Sequence, residues 1–213
     1  MLILALDTAT PAVTAGLVRL PESAAEAPEQ VAARVTVDAR AHGELLTPHV
    51  LDAVGEAGAS LADVAAVVVG TGPGPYTGLR AGLVTGAALA HSLGVPAFPV
   101  CTLDAIAAGS SAAGPLVVVT DARRREVYWA TYDAGTADSE WGRRLDGPHV
   151  GPRADVPESP GATLLDHEQP TPLGLVTVAA EAIRADAEPG PLTPLYLRRP
   201  DAAEPSARKR VTT

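Results

Sequence analysis

Two prolines and three glycines crowd residues 71–78, between a valine run and a helix. This stretch, Thr71-Gly72-Pro73-Gly74-Pro75-Tyr76-Thr77-Gly78-Leu79-Arg80-Ala81-Gly82, does most to limit the folds open to the chain. Pro73 and Pro75 fix φ, and Gly72, Gly74 and Gly78 permit positive φ or close backbone approach. The run Val64–Val69 reads as a strand leading in, and Thr77 is placed to cap a helix running to about Gly94. A strand, a rigid turn and a helix start can bind a phosphate. They can equally bring a helix very close to a neighbour.

The apolar runs on either side set the order of elements. Leu2–Leu6 is continuously apolar, as in a strand buried on both faces, and ends at Asp7. Ala12–Val18 returns as a hairpin partner, and Val31–Val37 reads as a third strand. From His42 to Gly58, Leu46, Val50, Ala53, Val54 and Ala57 form one helical stripe, while Leu45 and Leu51 fall off it and give a second apolar face. Pro48 disturbs the first turn of that helix. Val95–Val100 is a further strand. Three meandering strands followed by α-β-α-β predict a ribonuclease H-like fold.

The second half repeats part of this order. After a helix at Thr102–Ala108, Leu116–Asp121 is again an apolar run ending in Asp, and Val127–Tyr132 returns beside it. Residues 146–172 are rich in Pro, Gly and Asp and read mostly as loop. Leu173–Ala187 reads as a helix, Leu192–Arg199 as extended chain, and the residues after Pro200 as a disordered tail. The division expected is 1–101, 102–199 and 200–213.

Charge and cysteine content narrow the function classes. A net charge of −9 disfavours a protein that grips nucleic acid by itself. Cys101 is the only cysteine, which excludes an internal disulfide and fits a reducing cytoplasm. No basic leader precedes the first apolar run. His91, Gly94, Pro96 and Pro99 break the uncharged stretch 81–103 into helix, turn and strand, against a membrane span.

Four features carry the chemistry. Asp7 and Asp121 end matching strands and could hold a phosphate-bound ion; each is also an ordinary turn residue. Ala122-Arg123-Arg124-Arg125 follows Asp121, where an actin-like ATPase places small residues; it either holds an anion by charge or forms a solvated hairpin. His42 and His49 lie seven helical positions apart, about 10 Å, too far for one metal that needs donors within about 2 Å. Gly78, Gly82 and Gly86 recur every four residues, with Ala90 next. Each internal glycine costs about 1 kcal/mol against alanine, so a tight apposition must offset them, against either the chain's own sheet or a partner's helix. Leu79, Leu83 and Ala87 lie beside this stripe.

Leu4-Ala5-Leu6-Asp7-Thr8-Ala9-Thr10, His42-Gly43-Glu44-Leu45-Leu46-Thr47-Pro48, Gly72-Pro73-Gly74-Pro75-Tyr76-Thr77-Gly78-Leu79-Arg80, Asp121-Ala122-Arg123 with Glu126-Val127-Tyr128, and Tyr196-Leu197-Arg198 occur in this order. In these motifs the chain resembles the TsaB family of bacterial tRNA threonylcarbamoyladenosine biosynthesis proteins, formerly labelled glycoprotease-like. The resemblance covers residues 1–133 and returns at 193–199. It implies two ribonuclease H-like domains of the actin-like ATPase (ASKHA) superfamily, the second reduced. It implies a non-catalytic, cytoplasmic dimerization subunit that pairs with a catalytic TsaD-type homologue and a TsaE-type ATPase, or with itself when alone. The complex transfers threonylcarbamoyl to N6 of the adenosine beside the anticodon, so tRNA is met indirectly, through the complex.

The partner face implied comprises Leu46, Val50, Ala53, Val54, Gly78, Leu79, Gly82, Leu83, Gly86, Ala87 and Ala90. No catalytic residue, metal or cofactor of its own is expected. ATP, ADP and metal belong to the partner subunits, and a nucleotide at the interface would meet Asp7, Gly74, Arg80 and Asp121. Pro75-Tyr76 replaces the usual Ser-Phe, Gly43 replaces a usual Ser, and residues 134–192 match poorly. The competing reading is an actin-like ATPase or a peptidase acting alone.

Overall fold

The computed structural model describes residues 1–133, 135 and 142–198. The chain is a mixed α/β protein with two sheets and four α-helices among these residues. The first sheet contains β1 (Leu2–Asp7), β2 (Ala12–Arg19), β3 (Glu29–Val37), β4 (Val64–Gly70) and β5 (Ala97–Val100) in the order β3-β2-β1-β4-β5. β1 runs antiparallel to β2 and parallel to β4. Helices α1 (His42–Glu56) and α2 (Tyr76–Leu93) cover one face, and α3 (Thr102–Ala108) leads into the second half.

The second sheet contains β6 (Leu116–Asp121), β7 (Glu126–Tyr132), β8 (Arg144–Pro152) and β9 (Thr163–Asp166) in the order β8-β7-β6-β9. β6 is antiparallel to β7 and parallel to β9, so this sheet repeats the first without its fifth strand. Where α1 joins β3 to β4, only a 3-10 turn, Arg153–Asp155, lies between β8 and β9. The end of β8 and all of β9 lie within 146–172, which composition reads mostly as loop. Their turn-forming residues Gly147, Pro148 and Gly151 sit within a strand whose ladder with β7 shifts register twice. The expected tail after Pro200 lies outside the described residues.

Alternation along the buried strands assigns each residue to a face. Leu4 and Leu6 of β1, with Val67 and Val69 of β4, meet Leu46, Val50 and Val54 of α1 and Leu79 and Leu83 of α2. The other face, Ile3, Ala5, Ala66 and Val68, is covered by Leu175, Val176, Ala179 and Ile183 of α4 (Pro172–Arg184). Thr171 caps α4, its Oγ1 accepting from the Gly174 N–H at 3.0 Å, and Pro172 begins it. The expected boundary after residue 101 would group α4 with the second sheet, yet its apolar side lies on the first. α3 faces the second sheet through Leu103, Ile106 and Ala107.

Two details of the helices differ from expectation. α2 starts at Tyr76 with Pro75 as its N-cap and no side-chain cap, so Thr77 lies inside the first turn. Pro48 is inside α1, which runs through it unbroken. Among the described residues no helix is long and apolar enough to cross a membrane.

Candidate functional site

The Gly-Pro turn is held by bonds within the chain. The Thr102 hydroxyl donates to Asp7 Oδ2 at 2.6 Å and accepts from the Gly72 N–H at 3.1 Å. Thr71 Oγ1 donates to the Val100 carbonyl, and the Leu195 N–H donates to the Thr71 carbonyl at 2.8 Å. Gly72 has φ 94°, which glycine adopts freely. A Cβ on Gly70 would fall 1.7 Å from Asp7 Oδ2, so the strand end is glycine because the carboxylate fills the space.

Asp7 is fully buried. Its Oδ1 accepts from the Ala9 N–H at 2.7 Å. Burial raises its pKa from 3.8 to about 6, against the lowering effects of the Thr102 bond, the Ala9 N–H and the nearby His42. The expected approach of a phosphate or ion to Asp7 is therefore corrected: the carboxylate faces its own chain and has no exposed atom.

The glycine stripe meets the chain's own backbone and side chains. Cβ atoms placed on Gly78 and Gly82 would fall 2.6 Å from the Thr8 carbonyl oxygen and 2.5 Å from Thr8 Oγ1, and one on Gly86 would fall 2.4 Å from Val69 Cγ2. The Thr8 hydroxyl donates to the Gly78 carbonyl at 2.6 Å and accepts from the Gly82 N–H at 2.9 Å. It thus bridges two groups that an α-helix would join directly. Of the two appositions open from sequence, packing on the chain's own sheet is the one observed.

This corrects the expected partner face. Leu46, Val50, Ala53, Val54, Leu79, Leu83 and Ala90 are at most 7% exposed, and Gly78, Gly82 and Gly86 are buried. They form the contact with the first sheet, and only Ala87 of that set is exposed. The reason is geometric: the strongest apolar stripe of a surface helix faces its own core. The outward sides of α1 and α2 instead carry Leu51, 55% exposed, and Val84, 68% exposed, with Pro48, Ala87 and Ala88. Leu51 had a sequence signal, since it falls off the α1 stripe; Val84 had none.

The expected nucleotide contacts Gly74 and Arg80, like Asp7, meet groups of their own chain. Gly74 packs on the Ala9 backbone, where a Cβ would be 2.1 Å from the carbonyl oxygen. Arg80 lies over the Tyr76 ring, its guanidinium carbon 4.0 Å from the centroid, and its Nε donates to the Tyr196 hydroxyl at 3.0 Å. Asp121 lines a pocket of about 200 Å³ with Thr10, Arg40, His42, Thr77 and Arg123. His42 Nε2 bonds the Thr10 carbonyl and His49 Nε2 bonds Thr36 Oγ1, each at 2.9 Å. No three His, Cys, Asp or Glu side chains gather at one point among the described residues. Burial and the neighbouring Asp104 push the Cys101 thiol up to about 12, which leaves it a poor nucleophile.

Three features escaped the sequence reading. Thr102 acts through a hydroxyl that no motif marks, and the role of the Thr8 hydroxyl at α2 is not one its motif shows. Tyr76 and Tyr196 stack with centroids 5.1 Å apart and planes at 25°. Arg123, Arg124 and Arg125 all hold positive φ, between 53° and 67°, at the β6–β7 turn.

Comparison with known proteins places these features in a family. A family model described as TsaD, tRNA N6-adenosine threonylcarbamoyltransferase, matches residues 34–167. An uncharacterized protein of Mycobacterium tuberculosis is 48% identical, over 94% of this chain and 93% of its own length. The tRNA threonylcarbamoyladenosine biosynthesis protein TsaB of Escherichia coli is 36% identical over 62% of this chain and 55% of its own length. The structure of YeaZ from Pseudomonas aeruginosa superposes with a TM-score of 0.75 at 27% identity, covering 92% of this chain and 99% of that one.

Proposed function

Because the chain belongs to the TsaB family and has its role in tRNA threonylcarbamoyladenosine biosynthesis, we propose that it is the non-catalytic dimerization subunit of the modifying complex. It pairs with a TsaD-type homologue that carries the chemistry, alongside a TsaE-type ATPase, in the cytoplasm. Alone it pairs with itself. The match of residues 34–167 to the TsaD model supports a partner of related architecture. The strand orders β3-β2-β1-β4-β5 and β8-β7-β6-β9 support two ribonuclease H-like domains of the actin-like ATPase superfamily, the second reduced.

The observation that carries the proposal is the outward face of α1 and α2. Leu51 and Val84 stand exposed on neighbouring helices whose inner sides are fully used by the first sheet. Apolar side chains left in water on a rigid two-helix layer are the material of an interface core. The burial of Asp7 favours this reading over an ATPase acting alone.

The test is depletion of the protein followed by nucleoside analysis of total tRNA, with affinity capture of the tagged chain. Loss of threonylcarbamoyladenosine and capture of the TsaD-type homologue are expected. An unchanged tRNA nucleoside profile after depletion would refute the role.

A further inference from the structure

The arginines among the described residues differ in what they meet. Arg19, Arg34, Arg143, Arg144 and Arg153 each meet a carboxylate. Arg184 is taken up by the carbonyls of Pro21 and Glu26. By contrast, the side chains of Arg40, Arg80, Arg123 and Arg125 meet no carboxylate among the described residues, although the chain carries 25 acidic residues. Arg40, Arg80, Arg123 and Arg125 are exposed.

Their locations converge. Arg40 and Arg123 line one pocket with Pro75 and Thr77, where the start of α2 meets the β6–β7 turn. Arg80 is one helical turn further along α2, between Tyr76 and Tyr196. Arg198 joins the C-terminal segment to the same turn, Nη1 donating to the Ala122 carbonyl at 2.8 Å and Nε lying 3.3 Å from Glu126. Asp121 is the one carboxylate among the pocket-lining residues. The Tyr76–Tyr196 pair stands amid these cations with 46% and 40% of its surface in solvent.

Cations without counter-charges reach phosphates, and exposed rings among them stack on unpaired bases. An acidic protein surface would use the arginines but has no call on the rings. We propose that this rim, Arg40, Arg80, Arg123 and Arg125 with Tyr76 and Tyr196, docks an unpaired stretch of RNA. The inference rests on the tRNA-modification reading and adds to it a direct contact from this subunit. A net charge of −9 opposes a polyanion at long range, so the contact is local and strongly salt-dependent.

The probe is a labelled RNA stem-loop with an unpaired loop, titrated with the full chain, alone and with its captured partner, from low to moderate salt. The parallel arms are the same RNA fully paired and polyglutamate. The variants are Arg123→Gly with Arg125→Gly, Tyr196→Ala, and Arg19→Ala as a distant control. Glycine suits the positive φ at 123 and 125, so a thermal melt separates lost binding from lost fold.

The double glycine variant is expected to bind the stem-loop at least tenfold more weakly. Its slope of log affinity against log salt should fall by about 1.4, for two phosphate contacts to a single strand. Tyr196→Ala should erase the preference for the loop over the paired form, and Arg19→Ala should change neither. Unchanged affinity in the double variant overturns the proposal, as does equal binding of polyglutamate, or no RNA binding with or without the partner. If depletion abolishes the tRNA modification while the rim variants bind RNA normally, the rim assignment fails and the function stands. If depletion leaves the modification intact, the functional reading itself fails.

Discussion

Thr8 Oγ1 lies 2.9 Å from the amide nitrogen of Gly82, and a Cβ on that glycine would fall 2.5 Å from it. This contact turns a helical glycine, ordinarily a loss of about 1 kcal/mol, into the residue that lets α2 seat on the end of β1. Gly82→Ala should therefore destabilise the isolated protein by about 1–3 kcal/mol, despite its better helix propensity. Thr8→Val should cost a similar amount by removing the two hydrogen bonds that its hydroxyl makes to the Gly78 carbonyl and the Gly82 N–H. Urea unfolding of the isolated chain measures both. A gain in stability for Gly82→Ala would show that the helix start has room to move.

The association face is tested by residues whose loss the fold tolerates. Leu51→Asp with Val84→Asp should leave stability within about 1 kcal/mol, since both side chains are already in water. The pair should abolish capture of the TsaD-type homologue and shift any homodimer to monomer in sedimentation. Retained capture by the folded double variant would place the interface elsewhere. Substitutions at Gly82 and Gly86 do not test this face, because their added side chains would meet Thr8 and Val69 of the same chain.

Asp7 makes stability fall as pH rises. The folded protein holds the Asp7 proton up to about pH 6, whereas the unfolded carboxyl releases it near its ordinary 3.8. Below both values the folded and unfolded forms are equally protonated; between them only the unfolded chain ionises, which favours unfolding. The displacement amounts to about 3 kcal/mol, fully lost above pH 6. Asp7→Asn should remove this component, so the stability difference between the variant and the parent should shift in the variant's favour by about that amount between pH 4 and 7. Parallel pH profiles from denaturant unfolding would show that Asp7 does not titrate in this range.

The β6–β7 turn stores backbone strain in residues other than glycine. Arg125, at φ 67°, should gain about 0.5–1 kcal/mol on replacement by glycine, since the left-handed conformation costs a side-chain-bearing residue about 1–2 kcal/mol. A lower melting temperature for Arg125→Gly would mean that the arginine side chain holds the turn.

Local pattern carried most of the fold. The double-sided burial of β1 follows from the unbroken run Leu2–Leu6, and the matching of Asp7 with Asp121 pointed to a sheet topology that is used twice. The strands β8 and β9 were missed because turn-forming residues sit within or beside them, where pairing with β7 and β6 overrides composition. The site was less legible. The spacing of Gly78, Gly82 and Gly86 showed that something approaches α2 closely, but spacing does not say whether the neighbour is Thr8 or another molecule. Likewise the apolar stripe of α1 identifies its core side, so the residues left for a partner are those the stripe omits, such as Leu51. The Tyr76–Tyr196 stack joins residues far apart in the chain and left no local trace.

The return of α4 to the first sheet has a consequence for biosynthesis. All five strands of that sheet have been translated by residue 100, but the helix that shields Ile3, Ala5, Ala66 and Val68 ends at Arg184. A nascent chain that has emerged only as far as β5 lacks the helix that covers one apolar side of its strands. The ribosome must deliver the chain as far as Arg184 before the first-made strands are shielded, and in that interval they are a natural target for a holding chaperone.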